Sequence, residues 1–233
     1  MLNTRDQIES IQNKVKLYQS IQRYDAADKL LRNSIEKFGE FANIRYLLGL
    51  NFHMQSRFPE AVEEFKNAIE INPEYVEAIL SLAVTLCDLS QYQEAANLLN
   101  ELESQSKEQL PNYIKGKIAN LHGECGHLYS ESNMPKLALN EFEKALDLLG
   151  RMSDIRLAAA KLYLNNNEFE KAKFHLSELI INDPQNQESR VLLGLLYFRE
   201  ENHSKAQRYW KEAQDINPNS SSVKALLESI SAN

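Results

Sequence analysis

The chain has 233 residues, 43% hydrophobic and 25% charged, with a formal net charge of -7. An acidic surface repels phosphate backbones and anionic bilayers, which argues against nucleic acid or a membrane surface as partner. Only 7 Gly and 6 Pro leave too little turn chemistry for a β-rich fold, no apolar run nears the ~20 residues of a bilayer span, and 2 Cys are too few for a disulfide framework.

In chain order, Met1–Asp6 lacks the basic and then apolar pattern of a secretory signal, so a cytoplasmic protein with reduced thiols is expected. Thr4-x-x-Gln7 reads as a capping box opening the first helix. Residues 8–41 then carry Val15, Tyr18, Tyr24, Ala27 and Leu31, with Lys14 where an apolar residue would be usual. The same order of small and aromatic residues returns at 42–75 as Leu48-Gly49, Phe52, Ala61, Phe65, Ala68 and Pro73, and at 76–109 as Leu82-Ala83, Leu86, Tyr92, Ala95 and Leu99.

The next copy, 119–152, starts 43 rather than 34 residues on, and carries Cys125-Gly126, Tyr129, Ala138, Phe142 and Ala145. About nine residues, 110–118, are therefore inserted. Both flanks, 97–108 and 112–131, have helical character, so longer helices with Pro111 breaking the chain between them are expected. The 34-residue register resumes at 153–186 with Ala159-Ala160, Tyr163, Ala172, Leu176, Leu179 and Pro184. It continues at 187–220 with Leu193-Gly194, Tyr197, Ala206, Trp210, Ala213 and Pro218. Val223, Leu226, Leu227 and Ile230 then recur at helical spacing, giving a capping helix over 221–232 behind Asn219-Ser220-Ser221.

A small residue, an aromatic and a proline recurring every 34 residues over 8–220 resemble the tetratricopeptide repeat family. The resemblance implies an all-α fold: a right-handed superhelical solenoid of antiparallel helix pairs, A and B, in six repeats plus the capping helix, forming one domain over 1–233 and capped at both ends. One repeat cannot bury its faces alone, so stacking makes the core continuous. Small residues at Gly49, Ala83, Gly126, Ala160 and Gly194 allow close helix approach, and large rings fill the space between helices.

In this family the A helices line a concave groove that takes a peptide or helix segment of another protein. Carried over position by position, the groove is lined by Asn43, Tyr46, Leu50, His53 and Met54, by Leu80 and Val84, by Leu157, Lys161 and Leu164, and by Val191, Leu195, Phe198 and Arg199. Glu77, Cys87, Asp88, Asp154, Asn165 and Glu188 fall at the same positions. The set is more apolar than a solvated face, which marks a partner site unless these residues bury one another. The first and fourth repeats offer polar residues instead, such as Gln12, Lys16, Asn120 and His127.

Two sharper functions of the family do not carry over. The carboxylate-clamp positions read Gln12, Lys16, Leu47, Glu77 and Ser81, and the ladder position reads Asn13, Leu47, Ser81, Glu124, Ala158 and Leu192, so neither a clamp nor an asparagine ladder is present. His122, Cys125 and His127 stand at i, i+3 and i+5 of one helix, which do not share a face, and no metal or cofactor is expected. The adjacent carboxylates Glu63-Glu64 and Glu200-Glu201 read as solvated. The sequence points to a non-enzymatic scaffold or adaptor that binds an apolar or amphipathic peptide of a partner. The alternative is a self-assembling structural protein, a homo-oligomer joined through its repeats or terminal helices.

Overall fold

The computed structural model describes residues 4–106 and 110–231, and among the described residues it consists of thirteen α-helices with no strand. The first three pairs are α1 (Thr4–Ser20) with α2 (Tyr24–Phe38), α3 (Ala42–His53) with α4 (Phe58–Ile71), and α5 (Val76–Asp88) with α6 (Tyr92–Ser106). The next three are α7 (Asn112–Glu131) with α8 (Pro135–Leu148), α9 (Ser153–Asn165) with α10 (Phe169–Asn182), and α11 (Gln187–Arg199) with α12 (His203–Ile216). A last helix, α13 (Ser221–Ser231), follows Pro218. Odd-numbered helices up to α11 are the A members. The side chain of Thr4, expected to open a capping box, and residues 107–109 at the end of the third repeat lie outside what the structure describes.

The insertion lengthens α7 to 20 residues, against 12 or 13 for α3, α5, α9 and α11. The Pro111 carbonyl accepts from the amides of Ile114 and Lys115, so the helix begins directly behind the proline. The added turns bury Ile114 and Ile118, four residues apart on one face.

Every A-to-B turn is built alike. The fifteenth residue of each repeat (Gln22, Ser56, Ser90, Asn133, Asn167 and Glu201) sits at a φ between 57° and 61°. The next amide reaches back to the aromatic position of the A helix, as in Asn202 to the Tyr197 carbonyl at 2.9 Å, while the positive-φ residue bonds three back, as in Glu201 to Phe198 at 3.0 Å. This doubly bonded stop satisfies carbonyls that the helix end leaves open. None of the six is glycine; Asn133 and Asn167 tolerate this conformation, whereas Gln22, Ser56, Ser90 and Glu201 hold it against some left-handed strain.

Packing follows a size rule across sixteen residues, from the eighth position of a repeat in its A helix to the twenty-fourth in its B helix. Where the A helix carries glycine, the B helix carries a ring: Gly49 with Phe65, Gly126 with Phe142 and Gly194 with Trp210. A Cβ added at these glycines would lie 2.6, 2.5 and 2.1 Å from the facing ring. Where alanine stands in the A helix, leucine stands sixteen residues later, as in Ala83 and Leu99 or Ala160 and Leu176, all fully buried. At the end of the chain Val223 of α13 joins Ala206, Trp210 and Ala213 in one buried cluster, and Leu226, Leu227 and Ile230 pack against it. The apolar stripe of the expected capping helix thus closes the last repeat.

By compactness the chain falls into two units, one up to Leu121 and one from His122 onward, with the boundary inside α7. The first holds the α1–α6 repeats, the second the α8–α13 repeats.

Candidate partner-binding faces

In the first unit the A helices are neighbours. Gln19 of α1 donates to the Leu47 carbonyl of α3 at 3.4 Å, and His53 Nδ1 lies 3.0 Å from Thr85 Oγ1 of α5, with its Nε2 3.8 Å from Asp88. Across this face Asn43, Leu50, His53 and Val84 are partly exposed, and Met54, at the C-cap of α3, is 51% exposed. Tyr46 is occupied differently: its ring packs 5.1 Å from Tyr75 and 5.9 Å from Phe65. The Tyr75 hydroxyl is pushed up to about 12 by burial, reinforced by Tyr46 and Glu77.

Leu80, expected on the groove, is only 5% exposed. Residues 78–80, 82, 83 and 85–87 of α5 are all buried, so this helix is enclosed nearly all round and leaves Val84, with Val76 at its first turn, partly open.

In the second unit Lys161 of α9 pairs with Glu188 of α11 at 2.7 Å, which sets these two A helices side by side. Leu157 and Leu164 are partly exposed, and Leu195 is 41% exposed. Phe198 and Val191 lean instead on the Trp210 cluster, with Phe198 5.7 Å from the Trp210 ring and the indole N–H donating to the Val191 carbonyl at 3.2 Å. Arg199 lies over Phe169, 4.2 Å from the ring centre. The chemically open anchors are therefore Met54 and Leu50 in one unit, and Leu195, Leu157 and Leu164 in the other.

The histidines weighed for a metal have separate employment. His122 Nδ1 lies 2.6 Å from Glu141 Oε2, both buried, and Glu141 also receives Lys144 at 2.9 Å and the Asn140 amide at 3.0 Å. Burial pushes the Glu141 carboxyl up, but His122 and Lys144 outweigh it and hold the group below its ordinary value. Cys125 is buried in α7, and His127 is exposed with its ring edge-on to Phe142 at 5.0 Å. No cluster with metal-ligand geometry occurs among the described residues.

A second network, of buried Tyr163 and His175 around a partly exposed Glu143, joins three helices of the same unit. Tyr163 donates to Glu143 at 2.8 Å, His175 Nε2 lies 3.1 Å from Glu143, and the Tyr163 and His175 rings stack at 5.3 Å. The hydrogen bond from His175 holds the Glu143 carboxyl low, whereas burial and Glu143 push the Tyr163 hydroxyl up. In the first unit Glu64 is only 8% exposed and pairs with Arg45 at 2.8 Å, which corrects its reading as a solvated carboxylate. Arg45 and Glu64, like His122 and Glu141, stand at the fourth and twenty-third positions of their repeats, a nineteen-residue spacing that the sequence does carry.

Helix pairs in a recurring register, shifted once by the insertion at 110–118 and each turned by the same doubly bonded stop, define a helical-repeat protein. Family models described as tetratricopeptide repeat match residues 52–117 and 130–185, 13–76, and 187–220. The chain belongs to the tetratricopeptide repeat family, whose fold supports protein–protein interaction in general.

Among curated proteins it is similar to the DnaJ homolog subfamily C member 7 homolog of Dictyostelium discoideum, at 21% identity over 211 residues, 88% of this chain and 33% of the relative. It is also similar to the DnaJ protein P58IPK homolog of Arabidopsis thaliana, at 23% identity over 177 residues, 72% of this chain and 36% of the relative. The chain thus spans about a third of the length of the curated relatives it matches. Among solved structures, Pseudomonas aeruginosa pilF aligns over 98% of both chains at 19% identity with a TM-score of 0.57. A tetratricopeptide repeat protein from Parabacteroides merdae aligns over 97% of this chain and 98% of its own, at 16% identity and a TM-score of 0.57. YrrB, described as having an unusual peptide-binding site, aligns over 87% and 98% at 18% identity and 0.56. At these identities the likeness is one of fold. No described helix is long and apolar enough to cross a membrane.

Proposed function

We propose that the chain is a non-enzymatic adaptor that holds an apolar or amphipathic segment of a partner protein against its A-helix faces. The observation that carries this reading is the exposure of Met54 and Leu195, 51% and 41%, each beside partly exposed leucines of the same or a neighbouring A helix. Burying a large apolar side chain fully contributes ~1.5–3 kcal/mol. Three or four such anchors, after the cost of association, support affinities of roughly micromolar order. His53 in the first unit, and Lys161 and Arg199 in the second, supply polar contacts beside the anchors of their own unit. Buried thiols at Cys87 and Cys125 fit a reducing compartment, and we place the chain in the cytoplasm.

The test is selection from a displayed peptide library, with the selected peptides then titrated against Met54→Asp and Leu195→Asp. Selected sequences rich in Leu, Ile or Phe, bound at least about tenfold more weakly by one of the two variants, are expected. Selected peptides that bind both variants as tightly as the unmodified chain would refute the assignment.

A further inference from the structure

A cleft of about 430 Å³ opens in the first unit beside α4, α5 and α6, within the roughly 300–1,000 Å³ range of ligand pockets. The buried Leu82 and Leu86 of α5 form its floor, and Ile69 of α4 and Leu98 of α6 its partly exposed walls. A smaller hollow of about 130 Å³ shares Ile69, Leu98 and Glu101 and extends it. Residues two apart on a helix lie roughly 200° apart around it, so Leu82 and Leu86 face away from Val84 and the binding face described above.

Repeat register explains why the space is open here. The eleventh position of the six repeats carries Tyr18, Phe52, Leu86, Tyr129, Tyr163 and Tyr197. In the fifth repeat Tyr163 stacks on His175 at 5.3 Å, and in the sixth Tyr197 stacks on Tyr209 at 5.5 Å. The second ring of each pair stands at the twenty-third position, which in the third repeat is Leu98. Compared with these two repeats, the third has two leucines where a pair of stacked rings stands, and it alone lacks the ring at the eleventh position; the volume that ring would take is left as the cleft.

The rim has one sign of charge to spare. Glu70, Glu94 and Glu101 border it, all exposed, and the cation among the lining residues, Lys66, is already held by Glu94 at 3.0 Å. An apolar slot of aromatic size inside an acidic rim complements an aromatic ring with cations beside it. A second copy of this chain, at net charge -7, is a poor electrostatic match. We infer that this cleft is a second docking site, which receives an aromatic side chain of a partner protein whose neighbouring residues are Lys or Arg.

The test is a titration of the chain, methyl-labelled at Ile and Leu, with a capped Lys-Lys-Trp-Lys-Lys peptide followed by NMR. Saturable shifts at Ile69, Leu82, Leu86 and Leu98 are expected, with none for the peptide in which Glu replaces every Lys. Leu86→Tyr, which restores the ring that the other repeats carry, weakens binding about tenfold or more while the chain stays folded. The double substitution Glu70→Lys with Glu101→Lys, on exposed positions that leave the fold alone, weakens it as well, and decides the matter should Leu86→Tyr fail to fold. Unchanged affinity in the Glu variant, shifts confined to Leu50, Leu157 or Leu195, no saturable shift at all, or tryptamine binding as tightly as the peptide would each overturn the inference.

Discussion

Replacing Gly194 with alanine sets two effects against each other, and the structure decides the sign. Helix propensity alone favours alanine by ~1 kcal/mol in the middle of a helix. The new methyl, however, would lie 2.1 Å from Trp210 Nε1 and 2.4 Å from its Cδ1, where carbon contacts are best at roughly 3.5–4.0 Å. Trp210 is fully buried and its N–H is tied to the Val191 carbonyl at 3.2 Å, so the ring has no free direction in which to retreat. Overpacking of this kind costs ~1–3 kcal/mol, and loss of the indole hydrogen bond about 1 kcal/mol more. A net destabilisation of ~1–3 kcal/mol is expected, opposite to the propensity. The size rule adds a second arm. Ala160 with Leu176 and Ala83 with Leu99 show the alternative solution, so Gly194→Ala should restore stability lost in Trp210→Leu. The assay is urea unfolding of the four proteins followed by far-UV circular dichroism, with a coupling of about 1 kcal/mol or more expected between the sites. Gly194→Ala as stable as the unmodified chain, or additive effects in the double variant, would refute the packing argument.

Glu201→Asn should raise the melting temperature by about 1–3 °C, because asparagine tolerates the φ of 60° that Glu201 holds against strain; calorimetry that finds no rise, or a fall, counts against strain at the turns. Glu141 sits below its ordinary value of 4.5, so its contribution is complete above that pH and is lost as pH falls through the lower folded value. The urea midpoint should therefore drop as the pH falls below about 4.5, and less steeply in Glu141→Gln, whereas equal acid limbs would exclude this pair as a cause. Phe198→Asp should cost about 2 kcal/mol, less than the ~3–5 kcal/mol of a fully buried aromatic, because the partly buried ring packs on Trp210 at 5.7 Å. Leu195→Asp, at 41% exposure, should leave the melting curve nearly unchanged, and thermal melts of the two variants check the contrast.

The helix pairs were legible because the sequence marks them with residues whose volumes matter. Gly49, Gly126 and Gly194 each announce a ring sixteen residues on, and Pro73, Pro184 and Pro218 close B helices where the register says they should. The turns were less legible, since Gln22, Ser56, Ser90 and Glu201 carry no glycine signature for a left-handed residue. Their φ is imposed by the antiparallel pairing and its two capping hydrogen bonds, not by local preference. Buried polar pairs escaped for another reason. Glu64 looks solvated until Arg45, nineteen residues earlier, is brought against it, and a side-chain type alone does not show that partner. Position-by-position transfer of a groove also hides how far each helix is enclosed. It placed Leu80 with Val84, yet α5 is packed round most of its circumference and only the latter stays partly open. The cleft beside α4 and α6 had a signal that is visible once the repeats are aligned, namely Leu86 at a position that is aromatic in the other five.

The most direct measurement of the adaptor reading is amide hydrogen exchange on the chain with and without a library-selected peptide. Slowed exchange in α3 and α5, or in α9 and α11, is the expected footprint. Protection confined to B helices such as α8 and α10, or no protection at saturating peptide, would contradict it.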